Sequence, residues 1–143
     1  MEANNTPFEY CLYTAASSDE LEKMLPVGGG SLSRGRCWTG GDTLFRKAKA
    51  QNRQMPILFG RADTRDNVDA YLMYYAWLTD LQLDDKEART QITFTGITPI
   101  PGKLPLHTLV LVRTKGPLSD KYQRGYARCF TPDFVTLLPS VLG

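Results

Sequence analysis

The sequence predicts an α+β domain: a small, twisted, mostly antiparallel β-sheet or β-barrel with two or three short helices. Three runs carry that expectation. Tyr71–Leu83 is the most apolar and aromatic stretch of the chain, and aromatic density favours strands. After the acidic turn Asp84-Asp-Lys-Glu87, the stretch Gln91–Ile97 sets Ile92 and Phe94 against Thr93 and Thr95, the period of two that marks a half-buried strand. His107–Arg113 contains the continuous apolar run Leu109–Val112, which reads as a third strand of the same sheet.

The other elements follow in order. Residues 1–7 are polar, carry a proline and are expected to be poorly ordered. Phe8–Thr14 reads as a strand with Phe8, Tyr10 and Leu12 on one face and Cys11 and Tyr13 on the other. Ser17 and Glu20 have the spacing of a capping box, so a short helix with Leu21, Met24 and Leu25 inward runs to Pro26. Pro26–Gly41 is crowded with glycine and reads as a loop, either a flexible connector or a ligand loop. It lacks the phosphate-binding glycine patterns of nucleotide folds. Asp42–Gln51 is ambiguous between a helix capped by Asp42 and a strand. Met55–Gly60 is a short buried strand with Pro56 at its start, and Arg61–Asp69 is a polar surface loop. Thirteen residues is long for one strand, so Tyr71–Leu83 should bend or carry a bulge. Pro99, Pro101, Gly102 and Pro105 force an irregular connection. Thr131 and Pro132 form a good helix start, with Phe134, Leu137 and Leu138 docking the helix.

Composition narrows the function classes. A chain of 143 residues with 42% hydrophobic and 22% charged residues fits one compact domain, taken as 1–143. No run is apolar enough to span a bilayer as a helix, so no membrane partner is expected. The N-terminus lacks the pattern of a signal peptide, and a cytoplasmic setting is expected. Cys11, Cys37 and Cys129 are widely spaced, and His107 is the single histidine. That is a poor set for a zinc centre, and neither a metal nor a cofactor is expected.

Charge is uneven although the net value is only +2. Arg34, Arg36, Arg46, Lys47, Lys49 and Arg53 cluster in one segment. Arg113, Lys115, Lys121, Arg124 and Arg128 cluster in another. Two such segments meeting in space would form a positive patch on a mildly acidic body. In the second segment Tyr122 and Tyr126 interleave with the bases, a pattern suited to stacking on nucleobases while guanidinium groups meet phosphates. It also suits a half-buried segment whose tyrosines pack inward. Trp38 has the same two readings, an anchor in the core or a stacking platform. The candidate nucleic-acid-binding residues are Arg34, Arg36, Trp38, Lys47, Lys49, Arg124, Tyr126 and Arg128.

The order Gly41-Asp-Thr-Leu-Phe45, Ile57-Leu-Phe-Gly-Arg61, the long aromatic strand with its acidic turn, and then Gln91–Ile97 resembles the small β-barrels of the PUA-like group, which includes the ASCH and EVE domains. The resemblance covers roughly residues 36–115 and rests on pattern. It implies a barrel that binds RNA or modified bases in DNA, and it assigns no individual residue. The reading is therefore a nucleic-acid-binding module, with RNA or DNA as partner, recognising an unpaired, flipped or modified base in a basic groove. Two other classes stay open. One is a protein-interaction or inhibitor domain, or a homo-oligomer, using exposed tyrosines. The other is a small enzyme, for which Asp63, Asp66, Asp80 and His107 are acid–base candidates without a pairing that selects two of them. Asp84-Asp-Lys86 is a weak match to a nuclease centre.

Overall fold

The computed structural model describes residues 7–16, 18–61, 71–118 and 126–132. Strands dominate, with two short helices. The elements run β1 (Tyr10–Ala16), α1 (Ser18–Glu22), β2 (Gly29–Arg34), α2 (Thr39–Ala50), β3 (Met55–Arg61), β4 (Tyr71–Asp84), β5 (Arg89–Pro105) and β6 (Tyr126–Phe130), with 3-10 turns at Leu25–Val27 and Leu106–Thr108. The six strands form one mixed sheet in the order β2-β5-β4-β3-β1-β6. Only β1 and β3 pair in parallel; the other four pairings are antiparallel.

The long aromatic run forms β4, at the centre of the sheet, and its composition explains why. Met73, Ala76, Leu78 and Leu81 enter one apolar cluster, while Leu72, Tyr75 and Trp77 enter a second on the opposite face. A strand buried on both faces needs apolar residues in both registers. Strict alternation is broken where the β4–β5 register shifts, at Leu72/Tyr74, Tyr75/Trp77 and Leu78/Asp80. These bulges bend the ribbon and curl the sheet.

The curl brings the two ends of the sheet together without closing it. Arg34, at the end of β2, donates from Nη2 to the Ala15 carbonyl of β1 at 3.0 Å. Trp38, just after β2, stacks on Tyr126 of β6 with ring centroids 4.3 Å apart and planes 6° from parallel. Side chains span this seam. No ladder joins β2 to β6 among the described residues, so the barrel alternative gives way to an open sheet. The physical reason lies in β2. It pairs with β5 on one side through Gly29–Arg34, and α2 then leaves its end instead of a further strand.

Helix α2 fills the gap. Leu44, Phe45 and Ala48 are its buried stripe against the first cluster, and each large side chain contributes about 1.5–3 kcal/mol on burial. The helix begins at Thr39, three residues before the expected Asp42 cap. Asp42 lies in the first turn and pairs with Arg46 at 3.0 Å. Its C-terminus is closed by a Schellman motif: Arg53 N–H donates to Ala48 O at 2.9 Å and Asn52 N–H to Lys49 O at 3.0 Å. Asn52 takes the left-handed conformation, φ 56°, that asparagine tolerates.

Three further expectations are corrected. The glycine-rich segment is not all loop, because Gly29–Arg34 forms edge strand β2. A side chain at Gly29 would sit 2.4 Å from Phe94 O, so this pairing needs glycine. The prolines after Ile97 do not end the strand, since β5 runs on to Pro105. Beyond Thr95 β5 has lost β2 as its outer neighbour, and prolines are tolerated on an edge. The extra residues are absorbed between the Tyr74–Pro99 and Leu72–Leu104 pairs, around Gly102 at φ 76°. The apolar run Leu109–Val112 is no third strand of the central set. It covers the second face through isolated bridges, Val110 to Pro117 and Leu111 to Cys129, and Leu109 is fully buried.

In the remaining stretches, Leu21 is buried as expected, but α1 ends at Glu22 and Pro26 sits within the following 3-10 turn. The Ser17 cap, the loop with Asp63, Asp66 and Asp69, Tyr122, Arg124 and the helix after Pro132 lie outside the described residues.

Candidate nucleic-acid interface

The seam is where the turn after β2 meets β6. The chain turns from β2 into α2 at residues 35–38, and Thr90 of β5 fixes that turn. The Trp38 N–H donates to Thr90 Oγ1 at 2.8 Å, and the Thr90 hydroxyl donates to Arg36 O. Thr90 is fully buried, so this exchange satisfies its hydroxyl and the buried Trp38 N–H together. Trp38 is 2% exposed, which decides between its two readings: it anchors the turn in the core.

Tyr126 completes the arrangement from the other segment. Its ring covers Trp38, and its phenol oxygen lies near the Gly41 backbone N–H in the first turn of α2, where the N-cap residue makes no side-chain bond. Burial pushes the Tyr126 pKa up, opposed by the Arg128 charge and by the Gly41 bond. Two residues on, Arg128 lies against the first turn of α2. A Cβ at Gly40 would fall 2.8 Å from its guanidinium carbon. This cation beside the positive end of a helix dipole leaves an electropositive spot.

The candidate residues separate into three groups. Arg36 is exposed in the turn that leads to Trp38, and Trp38, Tyr126 and Arg128 gather at the seam. Arg34 is there too, but its guanidinium is used: besides Ala15 O, it donates to Ser33 O at 2.9 Å and lies 3.9 Å from a Glu20 carboxylate oxygen. Lys47 and Lys49 are exposed on α2, about 10 and 14 Å from the Gly40 end at roughly 1.5 Å per residue. The Lys49 ammonium rests 5.4 Å from the Phe45 ring centre. Among the described residues Arg36, Lys47, Lys49 and Arg128 have no carboxylate partner, whereas Arg34 and Arg46 do. Sequence reading missed Gly40, which makes room for Arg128, and Thr90, which ties the turn down. No local signal marks either, because their partners are distant in sequence.

An open cleft of about 580 Å³ lies at the tip of the β4–β5 hairpin, between Ser33, Gln82, Asp84, Lys86, Arg89 and Gln91. There the Asp84 carboxylate accepts the Lys86 and Glu87 N–H groups at 3.1 and 3.2 Å and so shapes the turn. Asp80 accepts from Gln82 at 2.9 Å. His107 belongs to the Leu106–Thr108 turn. Among the described residues no three His, Cys, Asp or Glu side chains are grouped to hold a metal, and no helix is long and apolar enough to cross a membrane. Among the described tyrosines Tyr13 and Tyr75 are buried, and Tyr10, Tyr71, Tyr74 and Tyr126 are half-buried.

No protein family, curated protein or solved structure matches this chain.

Proposed function

We propose that the chain is a nucleic-acid-binding module whose contact surface starts at the seam and runs along the exposed side of α2. The observation that supports this most is the convergence of cations far apart in sequence. Arg128 lies against the start of the helix, Arg36 is exposed in the turn that precedes it, Lys47 and Lys49 are exposed farther along it, and none has a described carboxylate partner. Phosphates are the anions whose recognition needs several spaced cations. The PUA-like resemblance belongs to the same proposal. The open seam departs from a barrel.

Base recognition takes a modified form. Trp38 is committed to the core and one face of Tyr126 is committed to Trp38, so an unpaired or flipped base would stack at the half-exposed rim of Tyr126 with Arg128 beside it. RNA and DNA both present the required phosphates. The test is a fluorescence-anisotropy titration with single-stranded and duplex oligonucleotides at about 50 and 200 mM salt. Each phosphate contact on a single strand contributes about −0.7 to the slope of log K against log salt, so four contacts predict a slope near −3. Absence of salt-sensitive binding to every oligonucleotide overturns the proposal.

A further inference from the structure

Cys11 of β1 and Cys129 of β6 are direct partners in the antiparallel ladder. Two positions along, the Thr131 N–H donates to Glu9 O at 2.9 Å. Cys11 and Cys129 therefore form a hydrogen-bonded pair of that ladder, with Cα atoms about 5.5 Å apart. Disulfides bridge Cα separations of roughly 4.4–6.8 Å. Successive side chains alternate across a strand, and both cysteines enter the same apolar cluster, with Tyr13, Leu58 and Ala127. Both are free thiols. We propose that Cys11 and Cys129 are a latent cross-strand disulfide, closed by exchange with a small-molecule disulfide and reopened by a thiol reductant.

The exchange runs in two steps. One cysteine thiolate attacks a sulfur of the small disulfide, forming a mixed disulfide and expelling one small thiolate. The second cysteine thiolate then attacks the protein sulfur of that mixed disulfide and expels the other. Two protein thiols are oxidised to one S–S bond, the small disulfide is reduced to two thiols, and the two protein protons end on the leaving groups.

The fold controls access to this chemistry. Both cysteines are 0% exposed, so reagent reaches them only when the five-residue β6 lifts from β1. Burial also pushes both thiols up, Cys129 to about 12, which keeps the thiolate scarce at neutral pH. Once closed, the bond would hold β6, and with it Tyr126 and Arg128, against β1. The inference does not depend on nucleic-acid binding. Cys37 is a different case: it is half-exposed, its thiol donates to Asp84 O at 3.5 Å, and neither ladder cysteine is its strand partner.

The experiment uses the full chain with Cys37→Ser, so that only the ladder pair can react. The protein is equilibrated with glutathione mixtures of increasing oxidation, then alkylated, digested and weighed. The expected result is a peptide joining Cys11 to Cys129, two hydrogen masses lighter than the reduced pair. Dithiothreitol should reverse it, and the oxidised chain should have a higher thermal midpoint, since the bond closes a long loop. A chain that keeps both thiols, or carries only glutathione adducts, at the most oxidising ratio overturns the proposal, provided the urea-unfolded chain forms the intramolecular bond in the same time.

Discussion

At Gly60 a single methyl group separates a tolerated change from a costly one. Its Cβ would lie 2.3 Å from the Tyr13 hydroxyl and within 2.9 Å of two ring carbons. Tyr13 is fully buried between strands and has nowhere to swing. Gly60→Ala should therefore cost about 1–3 kcal/mol, the range for overpacking a core, read as a lower urea midpoint. Gly40 meets a similarly close contact, but with the far end of a flexible arginine. Gly40→Ala should leave stability nearly unchanged or slightly raised, because alanine is the better helix former by about 1 kcal/mol. It should displace Arg128 and weaken oligonucleotide binding several-fold in the same anisotropy assay. Equal binding by the variant would remove Arg128 from the contact surface. Trp38 shows why residue roles were only half legible in the sequence. An aromatic among basic residues fits a core anchor and a stacking platform equally well, and the deciding contact, Tyr126, lies on a strand almost ninety positions away. Charge alone makes Arg34 a ligand candidate, and its carbonyl partner on β1, Ala15 O, has no sequence signature.

Elements were legible where one local rule dominated. The aromatic run of β4 formed a strand near its expected bounds, the alternation before Gly96 marked the start of β5 but not its end at Pro105, and the faces of Phe8, Tyr10 and Leu12 against Cys11 and Tyr13 were correct. Elements set by a neighbour were not. The prolines of β5 are accepted because its pairing with β2 ends at Thr95, and Leu109–Val112 is drawn into bridges with Pro117 and Cys129. Neither fact is local. The Arg34 bridge from β2 to β1 gives an element-scale prediction. Arg34→Ala should lower stability by about 1–2 kcal/mol and speed amide exchange in β2 and β6, while β3 and β4 stay protected. Uniform loss of protection would show that the seam is not a separate weak point. The second face carries a pH signature. Cys129 has its pKa raised from 9.0 to about 12 by burial, and Cys11 and Tyr13 are raised by the same cause. A raised folded-state pKa means that the native chain holds the proton more tightly, so this stability is complete below about 9 and is lost as the pH climbs toward 12. The urea midpoint should be level near neutrality and fall across that window. A midpoint that stays level to pH 12 would contradict the burial of these groups.

For the whole molecule, the fold class was within reach of the sequence, because composition, alternation and turn residues all favoured a curled sheet with short helices. Closure was not, since it depends on whether two edges separated by most of the chain pair through backbone or through side chains. They use side chains, and this leaves the basic turn after β2 facing the basic strand β6. The central claim is that those two segments form one binding surface. Amide chemical shifts recorded while a short single-stranded oligonucleotide is added test it most directly. The account predicts that residues 36–41 and 126–128 shift together along one titration curve, with weaker shifts at Lys47 and Lys49. Shifts confined to the hairpin cleft around Asp84 and Arg89, or shifts in only one of the two segments, would contradict it.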